Sequence, residues 1–427
     1  MYKKIYEVKL KKVKLLLMTP LLMVFFFSTP VFAQSISILT DDPPSVEFLE
    51  AFSKASGVLS THTLNDNTAH QATVRQLLRT PKAPSVFKWW NYYKMTDLIE
   101  ADLLEDITDI YDARVKSGDM PAGLKSTLGT VPFDGRVFAI PTSINTFVVF
   151  YNVKVFKKYG LEAPKTWEDL WHVAATLKAN GVTPFGFPLI EQKLWAGGLM
   201  WTELFIRDDP ETYDKLTIGE ASFDHPSVVR ATELWAKMNK WGYFYDHSIA
   251  WNDNMKAFAE GKFGMFYVGD WANGIFINSG IKPHEEYDMF VLPGKTEAGA
   301  KAMILEIGPY LLGKNTAADK KAQGRKWADF FMSKEGGDVW ADVIKRPFPH
   351  RKVSGDKLST VIRGVQSDAK AGKYKFYRRY FEGTPTELAD HIGGELMVKI
   401  ALNPDDWREI LQEAKTFADN YWRQHGK

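Results

Sequence analysis

The 427-residue sequence contains no cysteine. A chain without cysteine has no disulfide, no thiolate nucleophile, no Cys-ligated zinc and no cysteine-linked lipid anchor. It also has no marked excess of one charge, since 54 Lys and Arg stand against 52 Asp and Glu. A broad nucleic-acid-binding surface needs clustered basic residues, so no nucleic-acid partner is expected.

The near-zero net charge hides a basic N-terminal segment. Residues 1–33 hold six lysines and one acid, a net of +5, so the whole-chain charge of +2 leaves about −3 for the rest. After the lysines come an apolar run, Leu15 to Phe27, and the small-residue exit Val31-Phe32-Ala33. We expect a signal peptide cleaved after Ala33, and a periplasmic protein rather than one released to the medium. A retained membrane anchor is less favoured, because the apolar run is short for a bilayer of roughly 30 Å.

Beyond residue 33, no stretch approaches about 18 uninterrupted apolar residues, so no membrane-spanning helix is predicted there. Apolar runs of strand length alternate with segments of helical period, which is typical of an α/β fold. We predict strands at 37–40, 85–88, 137–142, 147–151, 263–268 and 303–312. Helices are predicted at 45–56, from Thr166 to a stop at Gly181, and from Pro226 to a stop at Gly242.

Enzyme signatures are scarce in the sequence. It contains no G-x-G-x-x-G, H-E-x-x-H or G-x-S-x-G motif. The run Pro293-Gly294-Lys295-Thr296 ends like a phosphate-binding loop, but Met289 stands where the first glycine of that loop is required. The nine histidines lack the spacing of metal ligands. We therefore expect no metal, no cofactor and no catalytic activity.

Aromatic residues are plentiful, with 14 tryptophans in the chain. Some stand beside polar residues where a predicted strand ends, and ligands of open α/β sheets bind at the carboxyl ends of strands. A flat ring there offers its face to the C–H side of a pyranose, while neighbouring carboxylates and amides take the hydroxyls. This interpretation applies to Trp89, Trp90, Trp195, Trp251 and Trp271. Helical spacing predicts a packing role for Trp167, Trp171, Trp235, Trp327 and Trp340.

Several sequence blocks match one known family in the right order. They are 150–152 (FYN), 156–161 (FKKYGL), 164–170 (PKTWEDL), 257–266 (AFAEGKFGMF), 269–272 (GDWA), 333–337 (SKEGG) and 347–351 (PFPHR). With these blocks the chain resembles the extracellular solute-binding proteins of bacterial ABC importers. The closest resemblance is to the sugar-binding family 1, which includes the maltose- and glucose-type binders.

The resemblance implies an α/β fold of the periplasmic binding protein-like II type, with two lobes, a central ligand cleft and hinge strands. Residues 34–142 and 303–345 would form lobe 1, and residues 143–302 and 346–427 would form lobe 2. The protein would be a monomer that captures a mono- or oligosaccharide and delivers it transiently to a membrane ABC permease.

The resemblance also implies positions for the ligand contacts. Many sugar binders carry a tryptophan in the loop after the first strand, and this chain has Asp41 and Asp42 there instead. The implied set is Asp41, Asp42, Trp89, Trp90, Asn145, Trp195, Trp251, Asp270, Trp271, Glu306 and Arg351.

Two alternatives stay open at this point. The same fold could bind a glycerol-phosphate-like anion or a polyamine, with Lys88 and Arg351 as cations that could hold a phosphate. A secreted carbohydrate-active enzyme would instead use Asp270 and Glu306 as its acid and nucleophile.

Overall fold

The computed structural model describes residues 35–41, 46–65, 67–190 and 193–426; at positions 46, 47, 67, 68, 194 and 195 it describes the backbone only. The predicted signal peptide lies outside these residues. The described strands are β1 Ile36–Thr40, β2 Ser60–Leu64, β3 Val86–Lys88, β4 Ala139–Asn152, β5 Thr183–Gly186, β6 Phe263–Gly269, β7 Tyr287–Phe290, β8 Ala302–Leu312 and β9 Lys375–Tyr377.

Helices cover most of the remaining described chain. They are α1 Val46–Ser56, α2 Asn67–Leu77, α3 Tyr93–Glu100, α4 Thr108–Lys116, α5 Val153–Lys158, α6 Trp167–Ala179, α7 Lys193–Ala196, α8 Leu199–Asp208, α9 Pro210–Thr217, α10 Pro226–Lys240, α11 Trp251–Ala259, α12 Ala272–Asn278, α13 Glu297–Lys301, α14 Ala318–Phe331, α15 Lys334–Ile344, α16 Thr360–Lys370, α17 Tyr380–Gly383, α18 Thr386–Leu388, α19 Met397–Leu402 and α20 Trp407–Gln424. Short 3₁₀ turns lie at Ala122–Thr127, Gly355–Lys357 and Pro404–Asp406, and a π-helical segment at Ala389–Leu396.

Two long strands, β4 and β8, join two groups of strands. On one side the order is β2-β1-β3-β8, with β1, β2 and β3 parallel and β8 antiparallel to β3. On the other side the last part of β4 pairs with β6 and β7, and β5 extends the sheet beyond β6. In the middle β4 and β8 pair with each other, from Ala139 opposite Leu311 to Thr146 opposite Leu305.

The predicted strands at 137–142 and 147–151 are one continuous strand in the structure. The polar run between them, from Thr142 to Thr146, breaks the apolar pattern that defines a strand in sequence. In the structure that run stays paired with β8, with a register shift between Pro141 and Ser143. The break in hydrophobicity therefore marks polar side chains in the middle of a strand and not a loop.

The predicted helices are confirmed to within a few residues. The Thr166 hydroxyl accepts a hydrogen bond from the Asp169 amide at 3.1 Å, and the Asp169 carboxylate accepts one from the Thr166 amide at 2.9 Å. Such a reciprocal cap satisfies two N–H groups that the helix leaves unpaired, and loss of an N-cap costs about 1 kcal/mol. Gly181 and Gly242 follow α6 and α10 with φ of +75° and +64°, a conformation that side chains disfavour.

The tryptophans assigned to packing divide into two groups. Trp235, Trp327 and Trp340 are buried, as predicted. Trp167 and Trp171 are only half-buried and meet edge to face, with ring centroids 5.3 Å apart. The i, i+4 spacing on α6 therefore brings this pair together at the margin of the core.

A buried ionic network fixes the start of β8. The Arg207 guanidinium pairs with Glu203, and both side chains are fully buried. Arg207 also donates to the carbonyl oxygens of Gly299 at 3.0 Å and Ala302 at 2.7 Å. The Tyr267 hydroxyl donates to the other oxygen of Glu203. The network thus ties α8 and β6 to the residues that lead into β8.

The segment after α15 contacts both groups of strands and their helices. The His350 ring is 2.7 Å from the carbonyl oxygen of Phe331, and the Arg351 amide donates to the carbonyl oxygen of Asp119. Further on, Gln366 in α16 donates to the carbonyl oxygen of Ile144 in β4. The division into lobes at residues 142, 302 and 345 stays a prediction.

None of the helices in the described part of the chain has the length and apolar character needed to cross a bilayer.

Candidate functional site

The two crossing strands bring Asn145 and Glu306 opposite each other at their centre. The Asn145 side-chain amide donates to the Ser143 hydroxyl at 3.0 Å and to the Glu306 carboxylate at 3.1 Å. The Asn145 oxygen is buried and accepts no hydrogen bond. Glu306 keeps 14% of its side chain exposed. The polar break in β4 therefore places an amide and a carboxylate together between the two groups of strands.

Arg379, which sequence analysis missed, completes this centre. Its Nη2 lies 2.9 Å from Glu306, and its guanidinium holds Glu382 through two hydrogen bonds of 2.8 and 3.1 Å. Burial alone lowers the pKa of Arg379, but Glu382 and Glu306 together raise it above its usual value. Burial raises the pKa of Glu306, and Arg379 only partly opposes this.

Aromatic rings surround the guanidinium. Arg379 lies 5.4 Å from the ring centroids of both Phe147 and Phe381. Phe381 meets Trp90 edge to face at 5.4 Å, so the segment after β9 touches the residues after β3. The Lys94 ammonium lies 4.2 Å from the Phe381 centroid and 2.5 Å from Asp390. Burial lowers the pKa of Lys94, against the opposing effect of Asp390.

Asp41 and Lys88 form an ion pair at the ends of β1 and β3. Their Oδ1 and Nζ atoms are 2.8 Å apart, and Asp41 is almost fully buried. The Lys88 ammonium is also 5.6 Å from the ring centroid of Trp90. The pair therefore lies beside the Trp90 ring.

Trp89 and Trp90 have different environments. Trp89 is fully buried, and its indole N–H donates to the carbonyl oxygen of Lys94 at 2.6 Å. Trp90 retains 6% exposure, between Lys88 and Phe381. In this conformation Trp89 supports the start of α3, and Trp90 is the ring of the two that borders the centre.

Asp270 follows β6 and is fully buried. Its carboxylate accepts from the Thr146 amide at 3.2 Å, the Thr146 hydroxyl at 2.8 Å and the Gln366 amide at 2.5 Å. Burial raises the pKa of Asp270 to about 7, although these hydrogen bonds oppose the shift. The side chain thus joins β4, β6 and α16 directly behind the Asn145–Glu306 centre.

Trp251 and Trp271 form an indole pair at the carboxyl end of β6. Their ring centroids are 5.4 Å apart, and each ring is half-buried. Trp251 also packs on Phe266, while the Arg346 guanidinium lies 6.0 Å from the Trp271 ring. A Cβ on Gly269 would come within 2.2 Å of the Trp271 indole nitrogen, so this glycine allows the ring its position.

Three predicted positions lie elsewhere or outside the described residues. Asp42 and the Trp195 side chain are outside them. Arg351 is exposed, and its backbone amide is bonded to Asp119 near α4.

The structure therefore brings Asp41, Trp90, Asn145 and Glu306 into one neighbourhood, and the indole pair into another, with Asp270 between β4 and the indole pair. Sequence analysis missed Arg379, Phe381 and Glu382. The cluster of charged and aromatic residues in 378–382 (RRYFE) is a signal that could have drawn attention to them. Within the described residues, no cluster of three or more His, Asp or Glu could hold a metal ion.

The family of this chain follows from direct comparison. A family model for bacterial extracellular solute-binding proteins matches residues 46–338, more than half of the chain. The chain therefore belongs to this family, as its sequence blocks predicted. The family comprises receptors that bind solutes outside the cytoplasm and is not a family of enzymes.

Individual relatives agree with this assignment. An uncharacterised ABC transporter extracellular-binding protein of Pyrococcus horikoshii is 28% identical over 65% of this chain and 61% of its own length. A probable sugar-binding periplasmic protein of Brucella suis is 28% identical over 38% of each chain. The matches thus span less than two thirds of either relative.

A solved structure confirms the predicted fold class. The bacterial solute receptor AcbH, described as having an exclusive preference for β-D-galactopyranose, superposes with a TM-score of 0.79. The alignment covers 91% of this chain and 99% of AcbH at 19% sequence identity. This likeness establishes the α/β, two-lobed fold of solute-binding proteins for the chain.

Proposed function

We propose that the protein captures a neutral saccharide between its two lobes and delivers it to a membrane ABC permease. The observation that carries the proposal is the centre formed by Asn145, Glu306 and Arg379 on the crossing strands, with aromatic rings around it. Saccharides need hydroxyl partners and apolar ring faces together. The described preference of AcbH and the name of the Brucella suis relative support the same ligand class.

The charges of this centre favour an uncharged ligand. Lys88 pairs with Asp41, and Lys94 pairs with Asp390. Arg379 pairs with two carboxylates. A phosphate-like anion would have to compete with these carboxylates for a cation, and a polyamine would have to compete with the cations. Hydroxyl groups can instead be added to existing pairs, because each carboxylate oxygen accepts more than one hydrogen bond.

The aromatic residues supply the second requirement. The indole pair is half-buried. Phe381 borders the Arg379 guanidinium and meets Trp90, and these two rings, which are 4% and 6% exposed, could offer ring surface if the lobes open. We propose Trp90, Asn145, Trp251, Trp271 and Glu306 as ligand contacts. Trp195, Asp41, Asp42 and Arg351 stay predicted contacts.

Binding would be coupled to lobe closure. A ligand that touches both lobes binds the closed state more tightly, and so increases its population by that difference in affinity. Hinge closure of this kind is the general behaviour of periplasmic binding proteins. The closed form would be the form that the permease recognises, and the protein would act as a monomer.

No catalytic step forms part of the proposal. A glycosidase would need two carboxyl groups that reach the scissile bond. Asp270 is fully buried and accepts three hydrogen bonds from protein groups, so it presents no carboxyl oxygen to a substrate. Residues 1–33 would direct the chain to the periplasm and would be cleaved off after Ala33.

A thermal-shift screen tests the ligand class. The purified protein is melted with mono-, di- and oligosaccharides, and with glycerol 3-phosphate and spermidine. A ligand at a hundred times its Kd should add about 2.7 kcal/mol to the free energy of unfolding. We expect stabilisation by one or a few saccharides. Stabilisation by glycerol 3-phosphate or spermidine alone would refute the assignment.

Two variants locate the binding site. Trp271→Ala should remain folded and lose most of the saccharide shift, whereas a large loss of stability would mean that the ring belongs to the core. Trp241→Ala is the matched control, because Trp241 is a 47% exposed tryptophan directly after α10. This control should retain the full shift.

A further inference from the structure

Arg379 has two carboxylate partners of different kinds. Glu382 lies three residues along the chain and is fully buried, so this pair is local to one segment. Glu306 comes from the crossing strand β8 and remains partly exposed. Glu306 is therefore the partner of Arg379 that a ligand between the lobes could reach.

The wider neighbourhood is balanced in charge. Arg378 lies 5.0 Å from the ring centroid of Tyr92 and donates to the Asn91 side chain at 3.3 Å. It is close enough to Glu382 for that carboxylate to favour its charged form. The central charge group consists of four cations, Lys88, Lys94, Arg378 and Arg379, and four carboxylates, Asp41, Glu306, Glu382 and Asp390. Asp270 also interacts with Glu306, but burial raises the pKa of Asp270 to about 7, so below that pH it adds little negative charge.

The balance of charge matters because most of these groups are largely removed from water, with Asp390, at 37% side-chain exposure, as the most open of the ion-paired members. Charges interact more strongly in such surroundings than in bulk solvent, so one uncompensated charge affects a ligand's affinity strongly. With Glu306 ionised, the group carries no net charge that could attract an anion. The partly exposed carboxylate of Glu306 also repels an anion directly. Without the negative charge of Glu306, the central charge group would carry a net charge of +1, next to the position of the lost carboxylate.

We propose that Glu306 sets the charge selectivity of the ligand site: by balancing the central charge group, it admits neutral sugars and excludes their carboxylate counterparts. This inference rests on the proposed function and adds the chemical basis of its specificity. Arg379 and Glu382 act as positioning residues, since they hold Glu306 through the guanidinium. Burial raises the pKa of Glu306, and the positive charges of Arg379 and Lys88 oppose this shift and favour the ionised carboxylate.

The test compares sugars that differ only in charge. Isothermal titration measures D-galactose against D-galacturonate and D-glucose against D-glucuronate, at one pH and ionic strength, for the wild type and three variants. For a pair that the wild type binds, its affinity for the neutral sugar should exceed its affinity for the charged sugar by about a hundredfold or more. Glu306→Gln should reduce this preference at least about tenfold, because it keeps the shape of the side chain and removes its charge.

Glu382→Gln is the second variant and separates charge from direct contact. It removes one negative charge from the same group without substituting Glu306 itself. We expect it to reduce the preference in the same direction as Glu306→Gln, and it also serves if the latter does not fold. Glu203→Gln is the matched control, since Glu203 is a buried partner of Arg207 outside the central charge group. This control should keep the wild-type preference.

Each outcome either supports or overturns the proposal. A preference lost in Glu306→Gln but kept in Glu382→Gln would mean that direct contact with Glu306, and not the charge balance of the group, excludes the anion, which overturns it. A reduced preference in both central variants, with the control unchanged, supports it. If Glu306→Gln and Glu382→Gln bind the neutral sugar with the wild-type preference, Glu306 does not set the charge selectivity. Equal wild-type affinity for both members of a pair overturns it as well. A wild type that binds no saccharide in the thermal-shift screen refutes the proposed function itself.

Discussion

Asp270 should give this protein a pH dependence of stability that a single substitution removes. Burial raises its pKa from 3.8 to about 7. Between these values the folded protein keeps a proton that the unfolded chain releases. The free energy of unfolding therefore falls as pH rises from about 4 to about 7, because the folded state binds more protons there.

The size of the effect follows from the shift. About three pKa units, at about 1.36 kcal/mol each, correspond to about 4 kcal/mol. Asp270→Asn removes the titrating group while keeping an oxygen that can accept from the Thr146 amide. The substitution also leaves an NH₂ group facing the Gln366 amide, which costs stability at every pH. That cost enters only the pH-independent part of the difference in unfolding free energy between the wild type and Asp270→Asn.

The wild-type profile alone would not reveal Asp270, because buried histidines act in the opposite direction. Burial lowers the pKa of His70 and His247, and that of His350 to about 4. The unfolded chain binds more protons at these sites below about pH 6.5, so they make stability rise with pH in that range. Subtracting the Asp270→Asn profile from that of the wild type removes their contribution.

Urea denaturation of both proteins from pH 4.5 to 8 provides the measurement, followed by the fluorescence of the 14 tryptophans. Coincident circular dichroism curves check that unfolding is two-state. We expect the stability of the wild type relative to Asp270→Asn to fall by several kcal/mol between pH 4.5 and 7.5. A difference that is independent of pH would show that Asp270 titrates in the folded protein as it does in the unfolded chain.

Two further predictions concern ligand affinity. Gly269→Ala should lower it at least about tenfold with little change in melting temperature, because the new Cβ would lie 2.2 Å from the Trp271 indole nitrogen and displace that ring. Unchanged affinity by titration calorimetry would mean that the ring position is not needed. Lys94→Met should weaken binding by up to about tenfold, since it removes the contacts with Asp390 and Phe381 while keeping the apolar stem. Small-angle scattering should show that ligand-free Lys94→Met is more open than the ligand-free wild type. An unchanged radius of gyration together with unchanged affinity would contradict this prediction.

Local sequence signals predicted the helices well because their ends are local. The Thr166 cap and the glycine after α6 lie within one or two turns of the helix they delimit. The continuity of β4 could not be predicted in this way. Its central residues are polar, and their partners in β8 lie about 160 positions further along the chain, as in Asn145 opposite Glu306.

The residues of the candidate site also differ in whether a local sequence pattern could predict them. Trp271 follows the end of β6, as predicted, whereas Trp251 begins α11 and does not follow a strand, so that part of the prediction was wrong. The aromatic pattern found both rings, but the pairing of Trp251 with Trp271 depends on how α11 packs beside β6. Arg379 and Glu382 reach the centre from a segment more than 70 residues beyond Glu306, and no local pattern connects them. The burial of Trp89 depends on the α3 backbone that its indole N–H contacts, which adjacent sequence does not reveal.

The segment 378–390 contacts both the crossing strand β8 and the residues after β3. Arg379 holds Glu306, while Phe381 meets Trp90 and Asp390 meets Lys94. A ligand that reorients Glu306 acts on the same short segment that touches the residues after β3. If Glu306 contacts the ligand as proposed, affinity and closure depend on shared residues, and a substitution here should change both. Comparing affinity with the solution shape of the ligand-free form distinguishes lost ligand contacts from lost closure, because only the second alters the free protein.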